Sequence, residues 1–203
     1  MKIPYTPIKV IDTFLESPEL WREFALSQEY SRENSSPWPG LKSKLLSDIN
    51  PDLFSSFASK LIKHCHGGSG FTHLEVSFSL IDETYKEGWL HQDEPHYNIA
   101  GLIYLNPKSA SNSGTSFYRM IRPAQESFTH LLEEEFSTPA ETRKDYTADK
   151  QRQKSYFKKS MTVENEFNRC IMFHPNEWHG ADGFFGTTKT DSRLTITFFG
   201  TWK

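Results

Sequence analysis

The chain has 203 residues and a mass of 23.5 kDa, which predicts one domain-sized unit over 1–203 with room for an insertion. Lysine and arginine number 23 against 26 aspartate and glutamate, a net charge of −3 with no block of like charge, which argues against nucleic acid or an anionic membrane as partner. The hydrophobic fraction of 36% and mean hydropathy of −0.63 are low, yet 16 Phe, 8 Tyr and 5 Trp supply the bulk for a core and exclude disorder over most of the chain.

In chain order, the first ten residues lack the apolar stretch of a secretion signal. No run approaches the ~18 apolar residues of a membrane span, so a cytoplasmic location is expected. Ser17-Pro18 before Glu19, Leu20, Trp21, Phe24 and Ala25 reads as an N-cap, a first-turn proline and an amphipathic helix. Asn50-Pro51 repeats the signal before Leu53, Phe54, Phe57, Leu61 and Ile62. Residues 35–40 between them are turn-prone, and the glycine-rich 67–70 ends a mainly helical part over 1–66. The cluster His64-Cys65-His66 reads as a helix C-terminus, where imidazoles suit the dipole, rather than as a metal site.

From Phe71 the texture changes to short aromatic and β-branched runs, which predicts strands over 72–81, 88–91, 97–105, 115–121, 169–174 and 192–202. The spacing is that of a β-sandwich or jelly-roll. A helical insertion is expected over 123–160, with an apolar stripe of Phe128, Leu131, Leu132 and Phe136 and a charged stretch over 141–159. It could serve as a flap over a site or as a helix stabilising the sheet. The two cysteines, Cys65 and Cys170, are too few for a disulfide framework and lack CxxC spacing; Cys170, in an apolar run, is expected in the core.

The chemistry-bearing residues lie in the strand-rich part. His91 and Asp93, two residues apart at a strand end, share one face and can grip one ion, although such a pair alone is equally a surface loop. His179, 88 residues after His91, offers a third ligand, with His174 as its rival. Two imidazoles and a carboxylate make the facial triad that leaves open positions on non-haem Fe(II). Fourteen residues on, Arg193 shares a strand face with Thr195, a guanidinium beside a hydroxyl suited to clamping a carboxylate. His96 could line the pocket or face solvent, and Trp178 could be core or a substrate platform.

These residues resemble the Fe(II)/2-oxoglutarate-dependent oxygenases, within them the prolyl-hydroxylase-like branch. The order HxD, distant His, then Arg is similar to the family pattern, as are Leu102 to Asn106, Ser113 to Phe117 and the pair Arg193 and Thr195. The resemblance covers about 71–202 without the insertion, and the long His-to-Arg spacing is absorbed by a loop over 183–190. It implies a mainly β fold with flanking helices, built on a double-stranded β-helix of cupin-like jelly-roll form. It implies Fe(II) on the catalytic residues His91, Asp93 and His179, and 2-oxoglutarate contacted by Arg193, Tyr104 and Thr195. It further implies O2-dependent hydroxylation of a small-molecule or peptide substrate, with release of succinate and CO2. The retained Asp93 favours hydroxylation over halogenation. The alternatives are a cupin-like metal hydrolase or isomerase, for which a carboxylate clamp has no use, and a non-catalytic jelly-roll binding module.

Overall fold

The computed structural model describes residues 8–32, 38–65 and 68–203, so the turn expected over 35–40 and His66 and Gly67 fall partly or wholly outside the described residues. In chain order the elements are β1 (Lys9–Ile11), α1 (Pro18–Ser27), β2 (Leu41–Lys42), α2 (Leu46–Ile49), α3 (Pro51–Ile62), β3 (Phe71–Ile81), β4 (Ile99–Tyr104), β5 (Thr115–Met120), α4 (Thr129–Ser137), α5 (Thr147–Lys154), β6 (Phe157–Val163), β7 (Cys170–Phe173), β8 (Trp178–Ala181) and β9 (Arg193–Trp202). A short 3-10 turn covers Glu83–Tyr85.

The strands form two antiparallel sheets, one ordered β1-β7-β4-β9-β3-β2 and one ordered β6-β5-β8. The long β3 and β9 pair from Phe71↔Trp202 to Ile81↔Arg193. Period-2 alternation divides their residues between two environments. Val76, Phe78 and Leu80 of β3 and Leu194, Ile196 and Phe198 of β9 pack with Phe14, Leu46, Phe57 and Leu61 beneath the N-terminal helices. Ser77, Ser79, Thr195 and Thr197 alternate with those residues, and the last two line a pocket between the sheets.

Both helix starts follow the sequence signals, with Pro18 and Pro51 in the first turn. The Asn50 side chain accepts the Leu53 N–H at 3.0 Å, while the Ser17 side chain makes no capping bond. Other expectations need correction. The N-terminal part is not only helical, because β1 and β2 join opposite edges of the large sheet. Strands of two or three residues are recruited by backbone bonds and need no alternation of their own. The insertion ends earlier than 160, since β6 begins at Phe157 and pairs with β5; the helices α4 and α5 thus elaborate the connection of one hairpin. The stretch 88–91 is no regular strand and has a single ladder bridge, His91↔His179. Cys170 is fully buried as expected, and both cysteines are free thiols.

Candidate metal centre

His91 and His179 come from opposite sides of that bridge, exchanging both backbone hydrogen bonds at 3.0 Å, and their rings lie 4.3 Å apart. Each ring is turned by its own strand. His91 Nδ1 meets Trp89 O at 3.0 Å and His179 Nδ1 meets Glu177 O at 2.9 Å, which leaves both Nε2 atoms facing inward. Asp93 stands between them, with Oδ1 3.7 Å from His91 Nε2 and Oδ2 3.6 Å from His179 Nε2. Its loop is tied to the turn before β8, where Asp93 donates its N–H to Pro175 O at 2.9 Å and Gln92 Nε2 donates to Asn176 O at 2.5 Å.

One ligand atom from each of the three residues lies within 4.8 Å of the others. The Asp93 side chain is 3% exposed and its Oδ2 has no hydrogen-bond partner, an expensive arrangement for a lone carboxylate. Burial pushes Asp93 up to about 6 and both histidines down to about 4. Two neutral imidazole nitrogens and a buried oxygen aimed at one point fit a divalent cation that accepts N and O donors, and could hold one.

The same pocket contains Arg193, Thr195, Thr197, Thr115 and Ser79, walled by Trp38, Leu132, Phe136, Phe184 and Phe199. Arg193 is 4% exposed, with its guanidinium over the rings of Tyr104 at 5.3 Å and Phe184 at 5.7 Å and its Nε 3.4 Å from Ser113 O. Burial pushes its pKa down, opposed by Tyr104. Asn106 braces the strand start on either side, donating to Ser192 O at 2.9 Å and accepting the Leu194 N–H at 2.7 Å. Tyr104 is fully buried, pairs across the ladder with Thr195, and shares a 2.8 Å hydrogen bond with Thr115 Oγ1. It backs Arg193 and Thr115, and is not among the residues lining the pocket.

Among the described residues, the structure thus brings His91, Asp93, His179, Arg193 and Thr195 to one cavity. His174 stays outside it, accepting the Asn176 N–H at 3.2 Å within its own turn. His96 is exposed against Tyr97, and Trp178 packs on Phe157 at 4.7 Å. Sequence reasoning missed Trp38, whose ring stands edge-on to His91 at 4.8 Å, and Phe199, with Lys42 Nζ 5.6 Å and 5.9 Å from the two rings. The alternation of Arg193, Thr195, Thr197 and Phe199 along β9 was a signal for Phe199; Trp38 had none.

Residues 2–199 match the model of a family of unknown function, DUF6445. No curated protein matches the chain by sequence. Solved structures do match its fold. A prolyl hydroxylase from Trichoplax adhaerens, in complex with a hypoxia inducible factor peptide fragment, aligns with a TM-score of 0.56 at 16% identity over 96% of this chain and 83% of that one. HygX from Streptomyces hygroscopicus, with nickel and 2-oxoglutarate bound, aligns at 0.56 and 13% identity over 97% and 84%. An oxidoreductase of the 2OG-Fe(II) oxygenase family from Burkholderia pseudomallei aligns at 0.53 and 12% identity over 96% and 84%.

Proposed function

The chain belongs to the DUF6445 family, and we propose that it is an Fe(II)- and 2-oxoglutarate-dependent dioxygenase hydroxylating a small-molecule or peptide substrate. The fold shared with the oxygenases supports this, read as a double-stranded β-helix over one unit. The observation that carries it is a single cavity holding both a buried His91-Asp93-His179 cluster and a buried arginine that makes no salt bridge among the described residues, Asp182 acting on it only at longer range. A hydrolytic metal site has no use for that arginine.

In this reading His91 Nε2, His179 Nε2 and the Asp93 carboxylate hold the metal, and the orphaned Asp93 Oδ2 gains its missing partner. Arg193 and Thr195 bind the far carboxylate of the co-substrate; the buried guanidinium gives a charge-assisted bond about twice as strong as a neutral one. Tyr104 and Thr115 hold that end of the pocket in shape through their shared hydrogen bond. Bound Fe(II) and 2-oxoglutarate supply the activation of O2, with decarboxylation to succinate and CO2. Trp38, Phe184 and Phe199 keep bulk water from the reacting groups.

Anaerobic titration with Fe(II) and then 2-oxoglutarate tests the proposal. The expected result is a weak visible charge-transfer band that needs both components, followed by succinate release on admitting air. Absence of the band with Fe(II) demonstrably bound would overturn it.

A further inference from the structure

The segment that carries His91 is irregular just before its ligand. Gly88 donates its N–H to Ala181 O at 2.9 Å, whereas His91 pairs with His179. One chain therefore advances three residues while the other advances two, so Trp89 and Leu90 together face Gly180. That count is a β-bulge, a device that leaves a residue outside the ladder and re-aims its neighbour. Gly180 has no side chain at the point where a Cβ would stand 2.9 Å from Trp89 O and 3.1 Å from Leu90 Cδ2.

Leu90 is buried, and because its neighbour His91 exchanges both hydrogen bonds with His179, the Leu90 backbone groups point away from β8 and find no ladder partner there. Gln153 of α5 takes both of its backbone groups: the Leu90 N–H donates to Gln153 Oε1 at 2.9 Å, and Gln153 Nε2 donates to Leu90 O at 2.8 Å. Helix α5 is itself anchored to the same segment. Lys150 Nζ donates to Tyr85 O at 3.0 Å, Glu87 O at 2.7 Å and Glu135 Oε1 at 2.7 Å, and Glu135 Oε2 accepts the Trp89 indole N–H at 2.6 Å.

We propose that Gln153 is a positioning residue for the metal centre, its side-chain amide holding the Trp89–Leu90 bulge so that His91 points into the pocket. The inference rests on His91, Asp93 and His179 being metal ligands. A one-residue slip of a strand carries its side chains to the opposite face, so a bulge beside a ligand must be held against closing. Without the amide, two buried backbone groups lose their partners, and the segment must shift to satisfy them, which moves the adjoining His91. The insertion bearing α4 and α5 then does more than cover the sheet, because it pairs the outer edge of the segment that carries His91.

The test uses the full chain, Mn(II) as probe, and two variants of neighbouring residues on one helix. Gln153→Met keeps the length and removes the amide; Arg152→Ala removes an exposed charge paired with Glu126 and Asp149. With circular dichroism like wild type, Gln153→Met is expected to bind Mn(II) about 10–100-fold more weakly, the size of an outer-shell loss. Its Leu90 amide should also exchange with solvent faster, while Arg152→Ala matches wild type in both. Wild-type Mn(II) affinity in Gln153→Met would overturn the proposal. Should Gln153→Met not fold, Gln153→Glu keeps the acceptor for the Leu90 N–H and loses the donor; a weaker site supports the proposal and an unchanged one overturns it. A Leu90 amide unprotected in wild type overturns it without any variant. Wild-type protein that binds no Mn(II) would instead overturn the ligand assignment beneath it.

Discussion

At the proposed metal centre, Asp93 is the residue on which acid and metal would compete. Burial pushes its pKa up to about 6, with His91 and Lys42 acting in the other direction, while burial pushes His91 and His179 down to about 4. Both imidazoles are therefore neutral and able to donate lone pairs well below neutrality, and the carboxylate is the group that still holds a proton near pH 5. Metal affinity is expected to fall as pH drops through about 6 and to be flat above it; a midpoint near 4 in a Mn(II) titration series would move the control to the histidines. Asp93→Ala should abolish tight Mn(II) binding with the fold intact by circular dichroism, since it removes a carboxylate whose Oδ2 has no partner. Arg193→Ala should weaken 2-oxoglutarate binding by about 3–5 kcal/mol, the cost of leaving a buried carboxylate unpaired, and leave Mn(II) affinity unchanged in the same calorimetric titration. Three of the charged or imidazole side chains that meet in this cavity, His91, Asp93 and Arg193, were legible in the sequence because HxD and Arg-x-Thr are local patterns set by strand alternation, whereas His179 stood beside its rival His174. Trp38, which lines the pocket, and Gln153, which holds the Leu90 backbone, were not, as each comes from a segment whose own pattern says nothing of where it docks.

At the scale of an element, the insertion meets both the pocket and an apolar cluster of the core. Leu132 and Phe136 of α4 line the pocket, while Phe128, Phe136, Tyr146 and Tyr156 pack with Trp89 and Leu90 in one apolar cluster. The Glu135–Lys150 ion pair beneath them has side chains 3% and 2% exposed. Buried pairs are costly to break from one side, so Lys150→Met should destabilise the protein by about 3–5 kcal/mol in urea unfolding. The double variant Glu135→Gln, Lys150→Met should be less destabilised than Lys150→Met alone, because the neutral amide no longer leaves a buried charge unpaired and can still accept from Trp89. Equal losses in single and double variants would show that packing, not the pair, sets the cost. The apolar stripe of α4 was readable at helical spacing; its destination was not, since a stripe reports that a face is buried and not against what.

For the whole molecule, the proposed metal binding should be coupled to folding. The three proposed ligands come from the 88–93 segment and from β8, which the His91↔His179 bridge brings together. The unfolded chain has no such cluster, so Mn(II) at 100 times its dissociation constant should stabilise the fold by about 2.7 kcal/mol. At about 2–4 °C per kcal/mol for a chain of this size, the melting temperature should rise by roughly 5–11 °C. The Asp93→Ala protein should show no rise; an equal rise there would place the ion elsewhere.

Sequence alone determined what depends on neighbours a few residues away. Pro18 and Asn50-Pro51 start helices, alternation marks β3 and β9, and the residue types at 91, 93, 179 and 193 set which ion and which anion could be held. Tertiary structure decided what depends on long-range pairing. It recruited the two- and three-residue strands β2 and β1 to the sheet edges, where backbone bonds rather than side-chain pattern supply the attraction. It also chose His179 over His174, because the ladder bridge to His91 turns one ring inward and the turn at Pro175 and Asn176 holds the other outside. The bulge opposite Gly180 is likewise a property of two strands in register, and register is settled only when both are packed.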